Sequence, residues 1–276
     1  DVFDAIGHSF STIAIGGFST HDASMGYFNN KPMIEAVAIV FMILAGVNFA
    51  LHFTAWRTRS VFNYFHDVEF RTYIGILFTV AIISSAYLYY MNVFIYPERA
   101  VLHGIFQAVS IGTTTGFTTQ EYHNWPGFLP VMLLFTSFIG ACAGSTGGGM
   151  KVIRFLLLLK QGFREVKRVI HPNAVIPIKV GRKPISDRVV DAVWGYFAAY
   201  VAIFVIILLI PASAPLIAML MLGNLFRESG VVERLKGAAQ NELMNIVTIF
   251  LGLPIGATMH ADIFLQPKVL FIFILG

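Results

Sequence analysis

Apolar residues run along this chain in blocks of two lengths. Four blocks reach the roughly 20 mostly apolar residues that a helix needs to cross a bilayer: 34–53, 73–95, 128–159 with a break inside it, and 189–210. Two others, 1–15 and 98–110, are apolar or amphipathic, too short to span, and each runs into a cluster of Gly, Thr and Ser. Irregular backbone survives at membrane depth only where protein or water satisfies its polar groups. The short blocks therefore predict re-entrant half-helices, and their polar ends predict the lining of a cavity.

The two clusters also align with each other. Residues 8–20 lie over residues 107–119 at an offset of 99, with Ser11/Ser110, Gly17/Gly116, Phe18/Phe117 and Thr20/Thr119 coincident. Each unit continues through a polar stretch and a proline, Pro32 or Pro126, into a full span. The fold expected is an all-α membrane protein built from pore-loop repeats of half-helix, filter loop and helix. Taken singly, either loop reads equally well as a glycine-rich turn between packed helices; the repeat weighs against that.

Composition points to lipid as solvent. Hydrophobic residues make up 57% of the 276 and charged residues 12%, against about 25% charged in a soluble domain, and the mean hydropathy is +0.73. A single cysteine, Cys142, excludes an intramolecular disulfide or a cysteine-rich metal site. The chain opens mid-pattern at Asp1-Val2-Phe3, as a fragment would. The net charge of +4 is concentrated: Lys160, Arg164, Lys167, Arg168, Lys179, Arg182, Lys183 and Arg188 stand between two apolar blocks against Glu165 and Asp187. Short cytoplasmic loops collect Lys and Arg, so 160–188 is expected to be a cytoplasmic loop, with Arg57, Arg59 and Arg71 marking a second. A basic patch for nucleic acid is the alternative, disfavoured because membrane spans flank it.

Gly/Thr/Ser loops offer carbonyl oxygens, and rings of carbonyls can replace the hydration shell of an alkali cation. Gly17 and Gly116 are the candidate filter glycines, with Ile15, Gly16, Thr114 and Thr115 presenting oxygens beside them. A half-helix entering from outside points its partly negative C-terminal end at the pore. Phe18 and Phe117 are expected only to pack. A third cluster, Gly144-Ser145-Thr146-Gly147-Gly148-Gly149-Met150-Lys151, interrupts the block 128–159. It is not a phosphate loop, which needs Lys directly after its last Gly and then Ser or Thr. It reads either as a gate with Lys151 as its cation or as a mere kink. The eight histidines show no metal spacing, no catalytic constellation stands out, Asp191 and Trp194 read as interfacial anchors, and Glu35 suits the positive end of its helix.

The stretch from Phe3-Asp4-Ala5-Ile6-Gly7-His8-Ser9-Phe10 to Thr20, residues 112–119, 140–154 and Val189-Val190-Asp191-Ala192-Val193-Trp194-Gly195 closely resemble the membrane subunit of Trk-type bacterial potassium uptake systems over about residues 1–210. The resemblance implies four non-identical pore-loop repeats around one pathway in a multi-pass protein of the bacterial inner membrane. It implies no enzyme activity and no cofactor, with K+ as the transported ion. It makes 15–19 and 113–118 two quarters of the filter and 144–151 the intramembrane gating loop. It implies a homodimer with a cytoplasmic nucleotide-binding regulatory subunit, for which the basic loop is a candidate contact; no nucleic-acid partner is expected. On that reading 1–71 is the second repeat, 72–168 the third with a broken inner helix, and 169–211 the basic loop and first helix of a fourth. The first repeat is missing, as are the fourth filter loop and the inner-helix arginine typical of the family. Either the chain is a fragment, or two chains supply four repeats.

Residues 212–276 depart from any Trk ending. The segments 215–234, 240–243, 248–252 and 256–258 resemble the beta subunit of sodium-translocating biotin-dependent decarboxylases such as oxaloacetate decarboxylase. They read as a short apolar helix, an Arg- and Glu-rich turn and a Gly-broken helix over 243–253. Asn224, Ser229, Asn241 and Asn245 could bind a cation there, though polar packing between helices is the better reading. The leading expectation is an incomplete potassium transporter joined to part of another membrane protein, by fusion or faulty assembly. The alternatives are a sodium-pumping decarboxylase subunit with a foreign N-terminus, and a non-conducting scaffold.

Overall fold

In this computed structural model the described residues are 2–29, 31–181, 183–229, 237, 241–242 and 244–258. They fall into two compact units, 1–198 and 199–276. The short apolar blocks form α1 (Val2–Ile13) and α6 (Pro97–Gly112). Pro97 starts α6 where its missing N–H needs no partner. The blocks 73–95 and 189–210 become α5 (Val68–Tyr90), capped by Asp67 on Phe70 N at 2.7 Å, and α9 (Asp187–Leu209).

The block 34–53 is not one span. It divides into α2 (Pro32–Ala45) and α3 (Phe49–Thr58), bent by 93°. The bend is made by partners remote in sequence: Cys142 N donates to Gly46 O at 3.0 Å and Phe49 N to Gly144 O at 3.0 Å. Asn48 then caps α3 by accepting from Ala50 N at 2.8 Å. These bonds replace those that would have carried the helix through. By length and composition α5 and α9 can each cross a membrane, and the bent pair is a third crossing if counted as one.

After the short α4 (Phe62–His66), α5 pairs with α6, and α7 (Leu129–Ile139) closes over both. Ala81, Leu88, Ala108, Leu129 and Leu133 form that core. A second cluster packs Met42 of α2 against Phe106 and Val109 of α6, with Phe117 beyond the helix end. So α6 is enclosed by neighbours, whereas only His8 and Thr12 of α1 are buried.

The basic stretch is not all loop. Helix α8 (Val152–Ile170) continues past residue 159, so Lys160, Arg164, Lys167 and Arg168 ride on it. The amphipathic pattern accounts for this: Leu157 and Leu158 pack against Ile178, Val190 and Val193, and Arg164 is buried in a 2.5 Å ion pair with Asp187. A two-strand hairpin, β1 (Lys179–Val180) and β2 (Lys183–Pro184), follows. The second unit contains α10 (Ala214–Ser229) and α11 (Met244–Thr258), which is unbroken at Gly252. Asn224, Asn241 and Asn245 are exposed. The expected turn at 230–236, Leu243 and the Ser229 side chain lie outside the described residues.

Gly104 of α6 lets α5 approach closely: a Cβ there would lie 2.6 Å from Ser85 Oγ and 2.9 Å from its Cα. Gly75 of α5 faces open space. Gly104→Ala is expected to lose about 1–3 kcal/mol through overpacking, while Gly75→Ala gains up to about 1 kcal/mol of helix propensity. Thermal unfolding of the detergent-solubilised chain measures both; a Gly104→Ala melting temperature at or above wild type contradicts the close packing.

Candidate functional site

The two half-helices end in the same way. Ala14 N donates to Phe10 O at 2.9 Å, Ile15 N to Thr12 O at 3.2 Å and Gly16 N to Ser11 O at 2.8 Å. At the offset of 99, Thr113 N donates to Val109 O at 2.8 Å, Thr114 N to Ile111 O at 3.0 Å and Thr115 N to Ser110 O at 2.8 Å. The loop N–H groups thus fold back onto the carbonyls of their own helix. Among the described residues none donates a hydrogen bond to the carbonyl oxygens of 15–17 or 114–116.

Backbone angles repeat as well. Ile15 (φ 53°) and Gly17 (φ 68°) match Thr114 (φ 67°) and Gly116 (φ 88°). In extended chain successive residues face opposite sides; a left-handed residue at every second position brings successive carbonyls round to a common side. Glycine adopts this conformation freely, but a β-branched residue there is an outlier that costs about 1–3 kcal/mol. Ile15 and Thr114 are both β-branched. Such strain persists where the surrounding structure enforces it, as at ion and ligand sites.

The loops lie against each other. A Cβ on Gly17 would sit 2.0 Å from Thr115 O, so this glycine is required by space as well as angle; Gly116 has nothing within 4 Å and is required by angle alone. Ile15, Gly16, Gly17, Thr114, Thr115 and Gly116 are therefore brought together in one place.

Behind each loop the chain is strapped to its half-helix. Thr20 Oγ1 donates to Asp4 Oδ1 at 2.6 Å, and the counterpart pair is His103 Nδ1 and Thr119 Oγ1 at 3.0 Å. The Thr20 hydrogen bond holds the Asp4 carboxyl below its usual range, at about 2. That strap is at full strength above the ordinary carboxylate pKa and weakens as pH falls through about 2. Ser110 Oγ donates to Phe117 O at 2.7 Å, while its counterpart Ser11 Oγ is buried with no partner among the described residues. Phe117 is fully buried as expected of a packing residue, but Phe18 is 82% exposed. Helix α6 is enclosed by α2, α5 and α7, whereas among the described residues of α1 only His8 and Thr12 are buried.

The third cluster contacts the ends of both half-helices. The helix stops at Ile139, where Gly140 takes φ 72°, and restarts at Val152; Gly144, Gly149 and Lys151 are also left-handed. Thr146 Oγ1 donates to Ile13 O at 2.9 Å, at the end of the first half-helix, and is 3.3 Å from Ala45 O. Gly148 N donates to Thr114 Oγ1 at 2.6 Å, in the loop after α6. A Cβ on Gly147 would meet Ala141 at 2.5 Å and Thr113 O at 3.0 Å. Lys151 Nζ turns back to Gly147 O, so the cation is held inside its own loop. Ser145 Oγ donates to Cys142 O at 2.6 Å.

A family model described as the cation transport protein TrkH matches residues 1–220. The chain belongs to the TrkH family. It is 52% identical over 209 residues to the Trk system potassium uptake protein TrkH of Escherichia coli (strain K12), covering 76% of this chain and 43% of that protein. It is 38% identical over 209 residues to the Trk system potassium uptake protein TrkG of the same strain, covering 76% and 43%. The crystal structure of the potassium transporter TrkH from Vibrio parahaemolyticus superposes with a TM-score of 0.72 at 54% identity, covering 75% of this chain and 44% of that one. The chain thus spans less than half the length of these TrkH relatives. A second model, the Na+-transporting oxaloacetate decarboxylase beta subunit, matches residues 167–276.

Three contributors escaped the sequence reading. His103 carried no motif, yet it straps the second loop. Glu35, read as a helix-end acid, is fully buried with Oε2 3.7 Å from His103 Nδ1, and neither carboxylate oxygen accepts a hydrogen bond from the described residues. Asn48 lay inside an expected span and instead caps α3 beside Gly144. The offset of 99 was the available signal for His103, since it places that residue over Asp4 as it places Thr119 over Thr20.

Gly17→Ala and Gly116→Ala separate space from angle. Gly116→Ala is expected to lose about 1–2 kcal/mol from the left-handed angle alone. Gly17→Ala is expected to lose more, because Thr115 O must also move. Equal melting temperatures for the two variants of the purified chain would contradict the contact between the loops.

Proposed function

We propose that residues 1–211 supply two quarters of a potassium filter, with its gating loop, to a Trk-type uptake system of the bacterial inner membrane. The observation that carries this reading is the pair of matched loops, 15–17 and 114–116, whose carbonyl oxygens accept no hydrogen bond from the described residues. Such oxygens can stand in for water around a dehydrated alkali cation. The C-terminal ends of α1 and α6 add partial negative charge beside them. No catalytic side chain and no resident cofactor enters this scheme; K+ is cargo. The preference for K+ over Na+ is supported by family membership.

Residues 144–151 act as the gate on this reading. Their hydrogen bonds to Ile13, Ala45 and Thr114 hold the loop against the ends of both half-helices, and conduction requires those bonds to break. Two loops cannot surround an ion, so the conducting unit includes further repeats. We assign to the whole assembly the homodimer and the nucleotide-binding cytoplasmic subunit, with the cationic face of α8 as a contact. The decarboxylase-like match over 167–276 favours a second reading for the C-terminal segment, as part of a sodium-pumping beta subunit.

The test is potassium-limited growth of a strain lacking its own uptake systems, expressing this chain with and without the missing repeats. Rescue only by the completed form is expected; failure of both contradicts the proposal. In the completed transporter Gly116→Ser is expected to lower the potassium to sodium uptake ratio or abolish uptake, and an unchanged ratio removes that loop from the filter. Thr146→Val, which deletes the tie to Ile13, is expected to raise basal potassium flux severalfold, as the loss of about 1 kcal/mol from the closed state predicts. Flux at or below wild type would count against the gate.

A further inference from the structure

The gating loop 144–151 has four glycines; Thr146 and Gly148 tie its middle to Ile13, Ala45 and Thr114, and its two ends are held separately. Both ends meet one carboxylate. Glu69, in the first turn of α5, accepts from Ala143 N at 2.7 Å and from Ile153 N at 3.1 Å, both through Oε1. Residues 143 and 153 bracket the glycine cluster and Lys151.

The Ile153 bond has a specific origin. The first N–H groups of a helix have no partner within it, and a side chain at the N-cap ordinarily supplies one. The N-cap of α8 is Lys151, with φ 80° and no side-chain cap hydrogen bond. A lysine carries no acceptor. Glu69 therefore supplies from another helix the acceptor that α8 lacks, and its negative charge suits the positive end of the α8 dipole. The Ala143 bond extends the same anchor to the other end of the loop, and α5 packs against α8 to hold it in place.

We propose that Glu69 is the latch of this loop: a positioning residue that fixes residues 143 and 153 to α5, beside the backbone bonds that hold 144 and 150–152, and leaves 145–149 as the moving part. Its consequence for transport rests on the reading of the loop as a gate. With both ends anchored to one atom, the loop opens by breaking its contacts to Ile13, Ala45 and Thr114 while its base stays fixed. The carboxylate acts as a hydrogen-bond acceptor, so a neutral acceptor of the same length should serve.

The experiment measures amide hydrogen exchange at residues 143 and 153 in the purified chain, for wild type, Glu69→Ala, Glu69→Gln and Glu69→Asp. Glu69→Ala is expected to exchange on the order of ten- to hundredfold faster at both amides, the range set by losing hydrogen bonds to a charged acceptor. Glu69→Gln keeps an acceptor at the same reach and is expected to restore most of the protection. Glu69→Asp, one methylene shorter, is expected to protect at most one of the two amides, and it keeps the test open should the alanine variant misfold. Unchanged exchange in Glu69→Ala, or no recovery in Glu69→Gln, overturns the latch. Potassium flux through the completed transporter is read alongside: faster exchange with altered flux supports latch and gate together, whereas faster exchange with wild-type flux leaves the latch standing and removes the gate.

Discussion

The structure is organised around carbonyl oxygens that the protein leaves without donors. A backbone carbonyl at membrane depth must be satisfied by something, and the N–H groups of residues 14–16 and 113–115 are already committed to their own half-helices. What remains at 15–17 and 114–116 is a set of carbonyl acceptors to which no described residue donates, an arrangement suited to a cation. The left-handed angles follow from that: glycine provides two of them without strain, and Ile15 and Thr114 are held there by the packing around them.

Enclosure then decides which repeat is well supported. Helix α6 sits between α2, α5 and α7, so Phe117, His103 and Gln107 are fully buried and Ser110 reaches a carbonyl. Helix α1 repeats the backbone and the strap but is less enclosed, so Phe18 is exposed and Ser11 Oγ has no partner among the described residues. The same motif gives the same hydrogen bonds within a repeat and different burial around it. Local hydrogen bonds depend on the motif; burial depends on neighbours.

The loop at 140–151 links the parts. Gly140 and Gly149 are close enough that a Cβ on either would collide with the other's backbone, within 2.9 Å, which lets the chain leave and re-enter one helical column at a narrow neck. On one side of the neck the loop bonds to Ile13 and Thr114 at the ends of the two half-helices; on the other, Glu69 holds both ends. The same loop bends α2 away from α3 by taking up Gly46 O and supplying Gly144 O. A single glycine-rich loop thus bends α2 away from α3 and contacts both half-helices.

Much of this was legible in the residues alone. The apolar blocks marked most of the helices, the offset of 99 located both loops and singled out Gly17 and Gly116, and a third glycine cluster marked the break near residue 144, because periodicity, block length and glycine content act locally. The bend at 46–48, the extension of α8 to residue 170, the burial of Glu35 against His103 and the reach of Glu69 to residues 143 and 153 were not legible. Each depends on atoms dozens of residues apart, and a carboxylate in the first turn of a helix looks the same in sequence whether it meets water, a histidine or the two ends of a loop. The sequence by itself determined which segments fold as helices and where their backbone offers bare carbonyls. The tertiary structure alone decided which donors come near, because burial and hydrogen-bond partners are set by packing between segments.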